Sequence, residues 1–442
     1  MAEGRRVGSR FGVTTHVVWL VLFFCLAGCG LPQRLTSISY RHGEVTPLSG
    51  FEDVRAVDGY PSDAFQASFD KAIAEFLNAP VPANGRRDWD TLVLSSGGIN
   101  GAFGTGILTA WTNRGDRPDF RFVTGVSVGA LMAPFAFAGP EFDDRLEELF
   151  RRVEPEHLHR EKGVIASVLW DESLMDNSPL RALIDRAVDE QLLRAVADRH
   201  AEGRRCYVGS TNLDIGHFVV WDLGAIASRG TKEALHLFRR VLAASASVPI
   251  LYPPIQFSNG EQEELHVDGA VIRPLFIPHN VFDSYLSAER AGMNWEDVDD
   301  TMYVIHNGSL YPHPLVVQRD TLTVATRTVT MMRYTMVAED VLHLYLLSRA
   351  WDAEFRFVTL PRGLDLDINS FTPEDTERLF TVGQQIMEKR KPWMTAPPGF
   401  ILAEDFIYAD GSTELPPPTY LNNRLKRIER EFQNLLPEMW RK

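Results

Sequence analysis

A serine between two glycines carries the clearest potential for chemistry in this sequence. Ser127 lies in the pentapeptide GVSVG, residues 125–129, directly after the segment 119–124, which predicts a strand, and before a predicted helix. The flanking glycines leave room for a strained backbone and for close packing, so the pattern predicts a nucleophile elbow at the carboxyl edge of a sheet. A serine hydroxyl held there can attack an acyl carbonyl once a base removes its proton.

A glycine-rich turn comes one strand–turn–helix unit earlier. The apolar residues 91–94 predict a buried strand, and residues 102–113 predict the helix that follows. The amides at the start of that helix, together with the helix dipole, favour negative charge. An oxyanion formed during acyl transfer is such a charge, which makes the amides of Gly97, Gly98 and Ile99 the predicted oxyanion hole.

The two units are expected to bring these turns together. A right-handed crossover places consecutive strands side by side and parallel, with both turns at the same sheet edge. Within the turns, Gly101, Gly125 and Gly129 are expected to support the required backbone geometry.

These residues resemble the patatin-like phospholipase family in three places. The chain reads SGGING at 96–101, GVSVG at 125–129 and DGA at 268–270, and the resemblance extends over about 89–305. It implies a three-layer α/β/α fold with a mainly parallel central sheet. It also implies a Ser127–Asp268 catalytic dyad, with Gly269 completing the Asp-Gly-Ala turn.

An aspartate base makes a physical demand, because a free aspartate has a pKa of about 3.9 and is poorly matched to neutral pH. Burial beside apolar neighbours would raise the pKa of Asp268. A histidine base is the alternative: His266 lies two residues away, and the residue order of α/β-hydrolases would require a later histidine. Such later histidines are His279, His306 and His313.

Two positions depart from the family pattern. Asn100 stands where arginine is usual, and Arg273 follows the DGA turn where the family often has asparagine. An amide side chain donates hydrogen bonds but carries no charge. If the usual arginine assists anionic headgroups, its loss favours neutral esters, unless Arg273 supplies the missing charge.

Composition excludes several other functions. The chain has 442 residues, a formal net charge of −14, 45% hydrophobic residues and 24% charged residues. These are values of a globular protein, and the acidity argues against nucleic-acid binding. The histidines lack paired ligand spacing, and no phosphate-binding or dinucleotide-binding fingerprint is present. We therefore expect neither a metal nor an organic cofactor.

The amino terminus predicts export and lipidation. Three arginines, at positions 5, 6 and 10, precede the apolar run 17–27, which is too short to span a bilayer comfortably. The run ends in LAGC, which resembles a bacterial lipobox whose cysteine, Cys29, becomes the lipidated amino terminus. An ordinary secretory signal is the alternative. The interpretation places the protein in the cell envelope, at the outer membrane or the periplasmic face.

The sequence predicts four segments. They are a lipoprotein signal peptide (1–28), a tether with an amino-terminal helix (29–85), the catalytic domain (86–395) and a carboxy-terminal extension (396–442). The predicted function is that of a membrane-anchored serine acyl hydrolase that cleaves phospholipid or lysophospholipid esters. The alternatives are a non-catalytic lipid-binding or envelope-assembly lipoprotein and an acyltransferase. The sequence leaves the oligomeric state open.

Overall fold

The computed structural model describes most of the chain between residues 47 and 397. The described residues are 43, 45, 47–82, 85–151, 153, 154, 156, 158, 160–161, 173, 175–278, 281–364, 366 and 371–397. The predicted signal peptide, Cys29, His279 and the carboxy-terminal extension beyond residue 397 lie outside them.

Helices and strands alternate along the described chain. The strands are β1 (Arg55–Val57), β2 (Arg87–Leu94), β3 (Phe122–Val126), β4 (Arg160–Glu161), β5 (Met175–Asp176), β6 (Arg205–Asn212), β7 (His217–Asp222), β8 (Ile255–Ser258), β9 (Glu263–Asp268), β10 (Val298–His306) and β11 (Glu354–Thr359). The helices are α1 (Asp63–Asn78), α2 (Gly101–Arg114), α3 (Val128–Ala138), α4 (Asp143–Phe150), α5 (Ser178–Ala187), α6 (Glu190–Ala201), α7 (Leu223–Ala227), α8 (Lys232–Ser245), α9 (Ser284–Ala291), α10 (Thr321–Ala350) and α11 (Pro373–Met387).

The central sheet has nine strands, and its core is parallel. Its main path runs β1-β7-β6-β3-β2-β10-β11, and β9 pairs with β6 and with β8. The pairs β11–β10, β10–β2, β2–β3 and β3–β6 are parallel, whereas β7, β1, β9 and β8 join by antiparallel pairing. Strands β4 and β5 form a separate two-stranded ribbon. The predicted α/β class with a mainly parallel sheet is confirmed.

Helices cover both faces of this sheet. On one face, the apolar side chains of α2, α3, α6, α8 and α11 pack on the largest cluster of buried residues. On the other face, α1 and the carboxy-terminal half of α10 bury separate apolar clusters against the strands. The molecule therefore has the expected three layers.

The amino-terminal part of the described chain contributes to the sheet. Arg55–Val57 pairs with β7 in the sheet, and Phe65, Phe69, Ile73 and Phe76 of α1 are buried against it. This part of the predicted tether and helix segment, 29–85, therefore belongs to the folded core, because its apolar residues complete one face of the sheet.

None of the described helices is both long enough and apolar enough to cross a bilayer. Within the same described part of the chain, no group of three or more histidine, cysteine, aspartate or glutamate side chains is placed to hold a metal ion.

Candidate active site

Ser127 lies at a sharp turn between β3 and α3. Its φ of 56° and ψ of −121° are strained for a residue with a side chain, at a cost of about 1–3 kcal/mol. The turn is held because the Ser127 amide donates to Ser245 Oγ at 2.9 Å, and Ser245 Oγ donates to the Gly209 carbonyl at 2.6 Å. The buried helix and the adjoining strand thus fix the strained serine.

The glycines of the pentapeptide are required by close backbone approach. A Cβ on Gly125 would lie 2.2 Å from the Gly129 carbonyl oxygen, and a Cβ on Gly129 would lie 2.3 Å from the Leu94 carbonyl oxygen. Neither position can accept a side chain without moving the backbone. The helix under Ser127 is therefore packed directly against the end of β2.

Sheet pairing places Asp268 beside Ser127. Strand β3 pairs with β6 up to the register Val126↔Gly209, and β9 pairs with β6 from Ser210↔Asp268 onward. Since β7 occupies the other side of β6, β9 takes the place of β3 beyond the end of that strand. The aspartate at the end of β9 therefore meets the turn that follows β3.

The Asp268 carboxylate accepts a hydrogen bond from the Ala270 amide at 2.8 Å, and the Ser127 side chain lies close enough to stabilise its ionised form. Asp268 is only 4% exposed, and its own amide donates to the Ser247 carbonyl. Burial raises the pKa of Asp268 to about 6, against the lowering effects of Ser127, the Ala270 amide and the nearby Arg333 charge. The pKa of Asp268 is therefore raised toward neutral pH, as an aspartate that acts as a base requires.

The glycine-rich loop lies at the same sheet edge. Leu94, at the end of β2, pairs with Gly125, just before the end of β3. Gly98 has a φ of +58° and is exposed, and it opens the short 3-10 turn Gly98–Asn100. The amides of Gly97, Gly98 and Ile99 have no acceptor within the described part of the chain, as expected for the start of a helical segment.

Asn307 supports this loop from the end of β10. Its amide donates to Ser95 Oγ at 2.8 Å, and its Nδ2 donates to the Ser95 carbonyl at 3.1 Å. A Cβ on Gly97 would lie 2.0 Å from the Asn307 carbonyl oxygen, so the loop packs directly on this residue. The remaining predicted glycines also mark close contacts: Cβ atoms on Gly101 and Gly269 would meet Val128 at 2.3 Å and the Gly209 carbonyl at 2.6 Å.

The sequence of this chain matches one known protein family. The sequence model of the patatin-like phospholipase family matches residues 92–279, a range that contains the glycine-rich loop, Ser127 and Asp268. The chain contains a patatin-like phospholipase domain. A structural comparison finds VipD from Legionella pneumophila at 11% sequence identity and a TM-score of 0.32, covering 69% of each chain. No curated protein matches the sequence.

Two departures from the patatin pattern have structural roles. Asn100 is buried, and its Oδ1 accepts a hydrogen bond from the Leu366 amide at 2.9 Å, so it anchors a neighbouring loop. Arg273 forms ion pairs with Asp58 at 2.9 Å and Asp340 at 3.6 Å. Its charge is paired with two carboxylates, so Arg273 does not offer an unpaired charge to a headgroup.

Two of the histidines considered as alternative bases, His266 and His306, have other partners. His266 Nδ1 lies 2.8 Å from Ser210 Oγ, and its Nε2 lies 3.3 Å from Glu264. His306 Nδ1 lies 2.9 Å from Thr359 Oγ1, and burial lowers its pKa to about 3. Neither His266 nor His306 is hydrogen-bonded to Ser127.

Two residues that the sequence analysis missed lie at the site. Ser245 holds the Ser127 amide, as described above. Arg333, on α10, lies close enough to Asp268 and His306 for its charge to lower the pKa of both. Ser245 lies in the stretch AASASVPILYPP, residues 243–254, which resembles a family block, but its contact with Ser127 depends on the fold. Arg333 belongs to no such stretch.

A large cavity lies elsewhere. Its volume is about 690 Å³, and its walls include Phe69, Trp89, Phe122, Trp295 and Asp300. Among these residues, Trp89, Phe122 and Asp300 lie near the starts of β2, β3 and β10. Ser127, in contrast, follows the end of β3. The cavity is therefore separate from the dyad.

Proposed function

We propose that this protein is a serine-dependent lipid acyl hydrolase that uses Ser127 and Asp268 as a catalytic dyad. The observation that carries the proposal is the closeness of the Ser127 side chain to the buried Asp268 carboxylate, beside the amides of the glycine-rich loop. The patatin-like domain supports lipid acyl esters as the substrate class.

The first half of the reaction transfers the acyl group to the protein. Ser127 Oγ attacks the ester carbonyl while Asp268 accepts its proton. The carbonyl oxygen becomes an oxyanion, to which the amides of Gly97, Gly98 and Ile99 donate hydrogen bonds. The bond from the carbonyl carbon to the alcohol oxygen then breaks, and Asp268 returns the proton to the leaving alcohol. An acyl ester of Ser127 remains.

The second half releases the acid. Asp268 takes a proton from a water molecule, which attacks the acyl ester through a second oxyanion. The bond to Ser127 Oγ breaks, Asp268 returns the proton to that oxygen, and a fatty acid leaves. An aspartate with a pKa of about 6 can alternate between these roles near neutral pH.

A charged headgroup has a candidate partner near the dyad. Asn100 anchors a loop, and Arg273 is neutralised, but Arg333 lies within electrostatic range of Asp268. Arg333 is exposed at its surface position on α10. We therefore favour phospholipids over neutral esters as substrates, with Arg333 contacting the phosphate.

A fluorophosphonate probe, which reacts with activated serines, tests the proposal. We expect labelling of the wild type, loss of labelling in Ser127→Ala and strongly slowed labelling in Asp268→Asn. Ser348→Ala is a matched control, because this buried hydroxyl only donates to the Tyr345 carbonyl within α10. Absence of wild-type labelling would favour the non-catalytic lipid-binding alternative.

We also propose that lipid attached to Cys29 anchors the protein to the cell envelope. The proposal rests on the LAGC sequence and the preceding apolar run. Metabolic labelling with palmitate should modify the wild type and not Cys29→Ser. An unmodified, secreted wild-type protein would instead support an ordinary signal peptide.

A further inference from the structure

The long helix α10 has two different halves. From Val337 onward, Val337, Val341, Leu344 and Tyr345 are buried against the sheet. Between residues 321 and 336, no side chain that the structure describes is buried. At a rise of about 1.5 Å per residue, this first half extends more than 20 Å without packing against the described core.

The unpacked half is unusually apolar for an exposed surface. Six of the ten strongly exposed large apolar side chains among the described residues lie in it or just before it, and they include Val316 at 85% and Met332 at 59% exposure. The other four are Leu315, Val324, Val329 and Met331. A concentration of this kind marks an interaction surface.

The exposed side chains form an amphipathic pattern. Val324, Met331 and Met332 follow helical spacing, with Thr328 and Thr335 in the same stripe. The hydroxyls of both threonines donate to the carbonyls four residues earlier, at 2.8 Å and 3.1 Å. Because those hydroxyls are already bonded, the stripe can enter an apolar environment without leaving polar groups unpaired.

The charges of this half are positive, although the whole chain has a net charge of −14. Residues 315–336 contain Arg319, Arg327 and Arg333. Their only acidic residue, Asp320, caps the helix by accepting a hydrogen bond from the Thr323 amide at 2.9 Å. A basic, apolar helix surface is complementary to an anionic lipid surface.

This half of α10 also ends near the candidate active site. Arg333 lies within electrostatic range of Asp268. Val271, three residues after Asp268, is 44% exposed, and Ile250, three residues after Ser247, is 72% exposed. Ser247 accepts the hydrogen bond from the Asp268 amide, so both apolar side chains lie on loops that adjoin the dyad.

We propose that residues 315–336, named here the docking segment, lie on the surface of an anionic phospholipid bilayer and hold the Ser127 site against it. The inference rests on the proposed function for the identity of the substrate, but the docking itself needs no catalysis. The apolar stripe inserts among the acyl chains near the headgroups, and the arginines contact lipid phosphates.

Hydrogen-exchange mass spectrometry of the full chain tests this proposal. Ser127→Ala protein is compared alone, with phosphatidylcholine vesicles and with mixed phosphatidylglycerol–phosphatidylcholine vesicles. We expect amide exchange within 321–336 to slow at least about tenfold with the anionic vesicles and less with the neutral ones. Exchange within α1, on the same face of the sheet, should not change.

Matched variants separate docking from other causes of protection. In the same background, Val324→Asp combined with Met332→Asp should abolish the protection, because two charged groups would enter the lipid. Val81→Asp, an equally exposed apolar position (52%) before β2, should retain it.

Unchanged exchange with both vesicle types would overturn the proposal. Concentration-dependent protection without vesicles would also overturn it, because the occupant would then be a second copy of the chain. Since Ser127→Ala removes the proposed nucleophile, these outcomes are independent of whether the wild type hydrolyses lipid.

Discussion

At the scale of single residues, the site depends on an aspartate that is costly to ionise. Asp268 is almost fully buried, and desolvation outweighs the effects of Ser127, the Ala270 amide and the Arg333 charge, which favour its ionised form. The same burial that penalises the charge brings the pKa of a carboxylate into the range useful for proton transfer near neutral pH.

The first prediction concerns pH. Asp268 must be ionised to accept the Ser127 proton, so protonation removes the base as the pH falls through about 6. We expect kcat/KM for a short-chain ester to decline about tenfold per pH unit below that value and to level off above it. Initial rates across the acid range test this, and an activity that stays constant well below the pKa of Asp268 would exclude it as the base.

The second prediction concerns Arg333. In Arg333→Gln, the loss of a nearby positive charge should raise the pKa of Asp268 and shift the acid limb upward. The KM for an anionic phospholipid should rise roughly three- to tenfold, with little change for a neutral ester. Parallel kinetics with the two substrates test this, and Arg333→Lys should retain most of the phospholipid preference. Equal losses on both substrates would contradict a role in headgroup binding.

At the scale of elements, the elbow is formed by backbone contacts between neighbouring units. The carbonyl of Leu94, at the end of β2, lies where a Cβ of Gly129, in α3, would be. Ser245, at the end of α8, links the Ser127 amide to the Gly209 carbonyl in β6. Three strands and two helices therefore share the strain stored at Ser127.

The third prediction concerns Gly129. In Gly129→Ala, the added methyl group would lie 2.3 Å from the Leu94 carbonyl oxygen and 2.6 Å from that of Ser95. We expect the free energy of unfolding to fall by about 2–3 kcal/mol and hydrolysis to fall at least about a hundredfold, because Ser127 moves.

Urea unfolding and ester hydrolysis measure the two effects. Gly115→Ala is the control: Gly115 ends α2 at a φ of +82°, and a methyl group added there would meet no atom within 4 Å. It should lose about 1 kcal/mol of stability and retain activity. If Gly129→Ala behaved like this control, the close packing under the elbow would not be needed for the reaction.

The elements that local patterns specify were predictable, and those that distant contacts specify were not. The strand at 91–94, the helix at 102–113 and the GVSVG turn follow from local apolar runs and glycines, and β2, α2 and the strained Ser127 match them. The place of Arg55–Val57 in the sheet depends on pairing with β7, more than 160 residues later. No local signal records such a pairing.

The residues of the candidate site also fall into two groups: those that short motifs predict and those that only the fold brings together. Ser127, Asp268 and the glycine-rich loop lie in short motifs, and the local turns that hold them could be predicted from the sequence. Ser245 and Arg333 reach the site from α8 and α10, and Arg273 turned out to be paired with Asp58 and Asp340. Charge partners of this kind depend on how helices pack on the sheet, which one sequence does not reveal.

At the scale of the whole molecule, a buried ion pair joins the amino-terminal segment to the candidate active site. Arg55 in β1 contacts Glu264 in β9 at 2.8 Å, with side-chain exposures of 1% and 6%. The Arg55 guanidinium also lies over the Trp221 ring, 4.9 Å from its centre. Strand β9 ends at Asp268, so the first described strand helps to hold the strand that carries the proposed base.

The fourth prediction tests this connection. Arg55→Met removes the cation beside a buried carboxylate, so we expect the free energy of unfolding to fall by about 3–5 kcal/mol. Arg86→Met is the matched control, because Arg86 pairs with Asp299 at the surface with exposures of 45% and 48%. It should change stability by less than about 1 kcal/mol. Equal stability of the two variants would mean that β1 contributes little to the fold.

The most direct test of the central claim is fatty-acid release from a phospholipid by the purified full chain, measured at neutral pH for the wild type and two variants. The dyad predicts release by the wild type and a loss of at least about 10⁴-fold in both Ser127→Ala and Asp268→Asn. Asp90→Asn, which alters another carboxyl whose pKa burial raises to about 7, should retain activity. Wild-type rates in either dyad variant, or no release by the wild type, would contradict the account.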